Sequence, residues 1–144
     1  MSALNILLVD DNRNLLTTLS GGLRTAMGKA ISVDVCFSGS EALSMLAIQR
    51  FDVVISDFDI PGVSGFELIN KIRQDYRETI LILTTAYGTD ALEEEVHRLG
   101  IGYITKPIGL SLLVQFIRDL IRDATENAPR MLIRDSKGKA GMPR

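Results

Sequence analysis

The sequence predicts an α/β fold: a doubly wound, five-stranded parallel sheet with helices on both faces. Short apolar runs recur at residues 6–9, 31–35, 53–55, 80–83 and 103–104, and segments of helical length separate them. That alternation is the signature of repeated βα units. The first, third and fourth runs are continuously apolar rather than alternating, as expected of parallel strands covered on both faces, and the other two read as weaker or outer strands. With right-handed crossovers such a sheet binds ligands in the crevice at the carboxyl ends of its strands.

The intervening segments carry helix signals in turn. Leu15, Leu19 and Leu23 form an i, i+4 stripe on the first helix, and Asp11 or Asn12 is placed to cap it. Gly21 and Gly22 fall inside this helix and weaken it by about 1 kcal/mol each relative to Ala, so its C-terminal end is expected to fray or bend. Ser38-Gly39-Ser40-Glu41 and Ser64-Gly65-Phe66-Glu67 each fit a capping box and start the second and third helices. Asp90 with Glu93 is a weaker form of that pattern for the fourth, which Gly100 is placed to stop. The last helix has a core stripe of Leu113, Ile117 and Ile121, and the additional apolar residues Leu112 and Phe116 suggest a partner or dimer contact.

Composition limits the function classes. The 144 residues are 46% hydrophobic and 24% charged with a formal net charge of -2, which suits one globular domain with no global attraction to nucleic acid or anionic membrane. No signal peptide or transmembrane run is evident, so the expected location is cytoplasmic. The single cysteine, Cys36, excludes an internal disulfide and is expected to be a half-buried filler. Residues 1–124 read as the domain and 125–144 as a mobile tail or truncated linker with no helix-turn-helix segment, so direct DNA binding by this chain is not expected.

The candidate chemistry gathers at strand ends. The first run is followed by Asp10 and Asp11, the third by Asp57 and then Asp59, the fourth by Thr84 and Thr85, and the fifth by Thr105-Lys106-Pro107. Each acid taken singly reads equally well as an exposed turn residue or a helix cap. Together they point to one site. Carboxylates held close repel one another, so either their pKa values rise or a cation sits between them. Oxygen-only ligands favour a hard divalent ion, and Mg²⁺, which keeps waters and bridges to phosphoryl groups, suits this set better than Ca²⁺. Lys106 and Thr85 would then serve phosphoryl oxygens, with Asp57 as the nucleophile. His97, following three glutamates, has no activating partner and reads as part of a solvated face.

These residues resemble the receiver domain of two-component response regulators, in the CheY-like superfamily. The likeness covers residues 4–122: Asp10-Asp11 resembles the acidic pair, Asp57 with Pro61 and Gly65 the phosphoacceptor and its loop, Thr85-Ala86 the switch hydroxyl, and Tyr103 with Lys106-Pro107 the switch aromatic and lysine. The resemblance implies a flavodoxin-like sheet of strand order 2-1-3-4-5. It implies Mg²⁺ held by Asp11, Asp57 and the backbone carbonyl of Asp59, with Asp10 acting through water, and a cis Lys106-Pro107 bond. A histidine kinase, phosphotransfer protein or acetyl phosphate would phosphorylate Asp57 in a reaction catalysed by the receiver itself, which is otherwise not an enzyme. Thr85 and Tyr103 would then move, changing the face formed by the fourth helix, fifth strand and fifth helix, where a downstream protein or a second copy would bind. In the family the positions of Asp59 and Tyr87 tune phosphoryl lifetime. Two rivals are a haloacid-dehalogenase-like phosphatase, which Asp57-Phe58-Asp59 partly resembles, and a binding scaffold that works without phosphorylation.

Overall fold

A computed structural model describes residues 3–60, 62–125, 133–134 and 140–141. Its five-stranded parallel sheet has the order β2-β1-β3-β4-β5, with strands β1 (Leu4–Val9), β2 (Ile31–Cys36), β3 (Val53–Asp57), β4 (Ile80–Thr85) and β5 (Gly102–Thr105). The helices between and after them are α1 (Arg13–Met27), α2 (Gly39–Ile48), α3 (Gly65–Asp75), α4 (Asp90–Arg98) and α5 (Leu110–Thr125). The expected doubly wound order is therefore present, with the two weaker apolar runs on the outer strands. The chain divides between Ile82 and Leu83 into two compact units.

In the first unit, β1 and β3 are the inner strands. Ile6, Leu7, Leu8 and Val9 on β1 and Val53, Val54 and Ile55 on β3 are all buried, which is why neither run alternates. Fully burying each such side chain stabilises the fold by about 1.5–3 kcal/mol. The edge strand β2 instead mixes buried Ile31, Val33 and Cys36 with exposed Ser32. Asp52 ties the amino end together: its backbone N–H donates to the Asn5 carbonyl (2.8 Å), and its carboxylate accepts from the Asn5 N–H (2.8 Å).

Caps and core stripes refine the sequence reading. Ser38 and Ser64 accept from the Glu41 and Glu67 N–H groups at 3.2 and 3.1 Å, starting α2 and α3 where the capping boxes place them. Asn12, not Asp11, caps α1, accepting from the Leu15 N–H at 3.0 Å. The helix runs unbroken through Gly21 and Gly22 to Met27, because Leu16, Leu19, Ser20 and Leu23 are buried and tertiary packing outweighs the weak propensity. Leu16 rather than Leu15 belongs to that buried stripe. Cys36 is fully buried rather than half-buried.

In the second unit, α4 packs on β5. Thr89, not Asp90, caps α4, accepting from the Leu92 N–H at 3.1 Å. The helix ends as expected at Gly100, whose φ of +77° suits glycine. The Gly100 and Ile101 N–H groups return to the His97 and Val96 carbonyls at 3.0 and 2.9 Å, completing a Schellman motif. On α5, Leu113 and Ile117 are buried, and so is Phe116. Phe116 is thus core and does not offer the contact surface expected of it. Ile133–Arg134 and Ala140–Gly141 form a two-residue antiparallel pair. Residues 126–132, 135–139 and 142–144, which fall in the expected tail, lie outside the described residues, as does Pro61. Among the described residues no helix is long and apolar enough to cross a membrane.

Candidate functional site

Register brings the acids together. In the β1/β3 pairing, Val9 stands beside Ser56, so the next positions, Asp10 and Asp57, meet at the carboxyl ends of neighbouring strands. Asp10 is 1% exposed and Asp57 4%, whereas Asp11 is exposed. One carboxylate oxygen from each of Asp10, Asp11 and Asp57 lies within 4.8 Å of the other two.

Local geometry orients these oxygens. The Asn12 N–H donates to Asp10 Oδ1 at 2.9 Å, and the Asp59 N–H donates to Asp57 Oδ1 at 3.1 Å. Each buried acid thus accepts from the backbone N–H two residues ahead, in an Asx-type turn. The Asp10 N–H donates to the Cys36 carbonyl at 3.2 Å, which anchors the same turn to β2. Asp59 itself is exposed. Three carboxylates, two of them buried, form an all-oxygen donor set that fits a hard divalent cation.

The turn after β3 rests on glycine. A Cβ at Gly65 would lie 2.5 Å from the Phe58 ring and 2.6 Å from the Phe58 carbonyl oxygen, so only glycine allows α3 to start against that backbone. Phe66, one residue on, meets the Phe58 ring edge-on with centroids 5.1 Å apart. On the other flank, the Arg13 guanidinium lies 3.9 Å from the Phe37 ring centroid. A groove of about 530 Å³ in this unit is lined by residues 46–51 and 74–79 and touches none of the three acids.

The second unit carries the remaining candidates. Thr85 ends β4 and is buried; its hydroxyl oxygen accepts from the Tyr87 N–H at 3.1 Å. Lys106 follows β5 and is half-buried, and its N–H donates to the Thr85 carbonyl at 2.9 Å. The Lys106-Pro107 bond is cis. Tyr87 is 83% exposed, whereas Tyr103 is 2% exposed. Burial, reinforced by the negative charges of Glu93 and Asp90, raises the Tyr103 phenol above its ordinary pKa. His97 is half-buried rather than solvated, its ring meeting that of Tyr103 edge-on at 6.3 Å between centroids.

Two roles escaped sequence reasoning. Asn12, besides capping α1 as one of the two candidates, orients Asp10 through its backbone N–H; its position right after the acidic pair was the available signal. Gly88 sits against Tyr103, and nothing local in Tyr87-Gly88-Thr89 announces it.

The fold and the acidic cluster define a doubly wound α/β domain with its candidate site at the carboxyl edge of the sheet. The family model described as response regulator receiver domain matches residues 6–118, and the chain belongs to that family, the receiver domains of two-component systems. It is 32% identical over 134 residues to the transcriptional regulatory protein CutR of Streptomyces coelicolor, covering 91% of this chain and 59% of that protein. It is 34% identical over 116 residues to the response regulator protein FleR of Pseudomonas aeruginosa, covering 80% of this chain and 24% of that protein. The chain therefore spans less than two thirds of either relative. Among solved structures, the chemotaxis response regulator CheY4 of Vibrio cholerae superposes with a TM-score of 0.72 at 27% identity, over 82% of this chain and 98% of that one. A CheY-like receiver domain protein from Methanospirillum hungatei gives 0.77 at 22% identity, over 88% and 99%, and supports the fold.

Proposed function

We propose that this chain is a phosphorylation-dependent switch whose phosphoacceptor is Asp57. The observation that carries the reading is the convergence of the Asp10, Asp11 and Asp57 carboxylates, with Asp57 buried at the end of β3. An Asp57 oxygen attacks phosphorus in a partner's phosphohistidine or in acetyl phosphate. The new bond is carboxylate oxygen to phosphorus; the bond that breaks joins phosphorus to the leaving imidazole nitrogen or acetate oxygen. Asp11, Asp57 and the Asp59 carbonyl would hold Mg²⁺, with Asp10 acting through water. When bound, the ion supplies positive charge for the phosphoryl oxygens. Lys106 donates to one of those oxygens and the Thr85 hydroxyl to another.

Thr85 and Tyr103 then form a two-state element biased by the new charge, and the α4-β5-α5 face reports its state. In this reading a histidine kinase or phosphotransfer protein supplies the phosphoryl group, and a downstream protein or second copy reads the face. The chain works in the cytoplasm, with residues 1–124 as the receiver and 125–144 as a tail or linker. It has no turnover beyond its own phosphorylation and dephosphorylation.

The test is incubation with acetyl phosphate and Mg²⁺, followed by intact mass and size-exclusion. Wild type should gain one phosphoryl group and Asp57→Asn none. Sustained release of phosphate from phosphomonoesters would instead make the chain a phosphatase. Absence of labelling in both proteins would remove the switch reading.

A further inference from the structure

Gly88 lies in the loop between Thr85 and the Thr89 cap of α4. Its φ is not in the left-handed region, where Gly28, Gly62 and Gly100 lie, so its backbone does not itself require glycine. What it provides is space. A Cβ built there would overlap the Tyr103 hydroxyl oxygen outright, come within 3.0 Å of Tyr103 Cζ, and lie 3.3 Å from Thr85 Cγ2. The buried tyrosine therefore occupies the volume that a side chain at position 88 would fill.

We propose that Gly88 is the steric seat of Tyr103: its missing side chain makes the buried position of the ring available, and any Cβ there expels the ring toward solvent. The overlapped atom is the far end of a rigid ring that can leave by rotation about χ1, so the collision is relieved by moving Tyr103. Reaching the buried position is then decided at position 88, not only at Thr85. Gly88 is thus a positioning residue that acts through Tyr103. Its role in switching rests on the receiver reading, whereas the steric relationship does not.

The protein has no Trp and three tyrosines, Tyr76, Tyr87 and Tyr103, so Tyr76→Phe with Tyr87→Phe leaves Tyr103 as the sole source of tyrosine fluorescence. In that background Gly88→Ala should raise acrylamide quenching of Tyr103 several-fold while Asp57 labelling by acetyl phosphate persists. Unchanged quenching in a folded Gly88→Ala protein overturns the proposal. If Gly88→Ala does not fold, Tyr103→Ala should restore folding, since it removes the overlapped ring; failure to restore it also overturns the proposal. A second series measures Gly88→Ala destabilisation with Tyr, Phe or Ala at position 103. The penalty should fall in that order, and equal penalties count against the seat. Absence of Asp57 labelling in wild type would remove the receiver reading and leave the quenching result intact.

Discussion

The Lys106 backbone N–H donates to the Thr85 carbonyl over 2.9 Å, so the strand ends bearing the lysine and the threonine are tied through their main chains. This tie uses no side-chain atom of Lys106. Lys106→Ala preserves it while removing the ammonium group, and should slow Asp57 labelling by roughly tenfold or more through loss of a charge-assisted contact. Single-turnover labelling followed by intact mass checks this, and an unchanged rate counts against a phosphoryl contact.

Mg²⁺ should raise the unfolding temperature of wild type. Binding to the native state alone stabilises by about 2.7 kcal/mol at a hundred times Kd. Asp11 is exposed, so Asp11→Ala should leave the apo protein folded while abolishing most of that rise. Thermal unfolding with and without the ion, on both proteins, makes the comparison.

Tyr87 extends from the loop whose N–H is bonded to the Thr85 hydroxyl. If its ring shields the phosphoryl group from water, phosphorylated Tyr87→Ala should dephosphorylate faster than wild type. Equal or slower decay, followed by intact mass after removal of phosphodonor, would assign the ring no part in phosphoryl lifetime.

Gly65→Ala should destabilise by about 1–3 kcal/mol, since the added methyl meets the Phe58 carbonyl as well as its ring. Backbone yields less readily than a side-chain tip. Urea unfolding measures the loss, and the companion Phe58→Ala should recover only the part due to the ring.

Burial, with a contribution from Glu41, pushes the Cys36 thiol up to about 12 from 9.0. The folded state therefore keeps this proton where the unfolded chain releases it. The stabilising contribution is full below about pH 9 and is lost as pH rises towards 12. Wild type should lose more stability across that window than Cys36→Ala, and parallel profiles would show that the thiol does not ionise differently on unfolding.

Much of the fold was legible because its signals are local. The caps at Ser38 and Ser64 and the stop at Gly100 need only neighbouring residues, and the structure contains all three. Other signals were misread for lack of partners. The weakening of α1 by its two glycines was outweighed by burial of Leu19 and Leu23 on either side, and Phe116 went to the core although it lay off the sequence stripe. Of the two candidate caps of α1 the structure uses Asn12 rather than Asp11, and the cap of α4 is Thr89, one residue before Asp90. Several such residues in a row can cap, and the approach of the chain selects one.

By itself the sequence determined that Asp10, Asp57 and Thr85 stand at or beside strand ends and that Lys106 follows another, because apolar runs stop where these residues begin. It also carried the family motifs. Only the tertiary structure decided that Asp10 stands beside Asp57, since this depends on the β1/β3 register, and a shift of one residue would turn the side chains to the opposite face. It alone decided that Tyr103 fills the space left by Gly88. Packing volume is a relation between residues distant in the chain, and no local pattern encodes it.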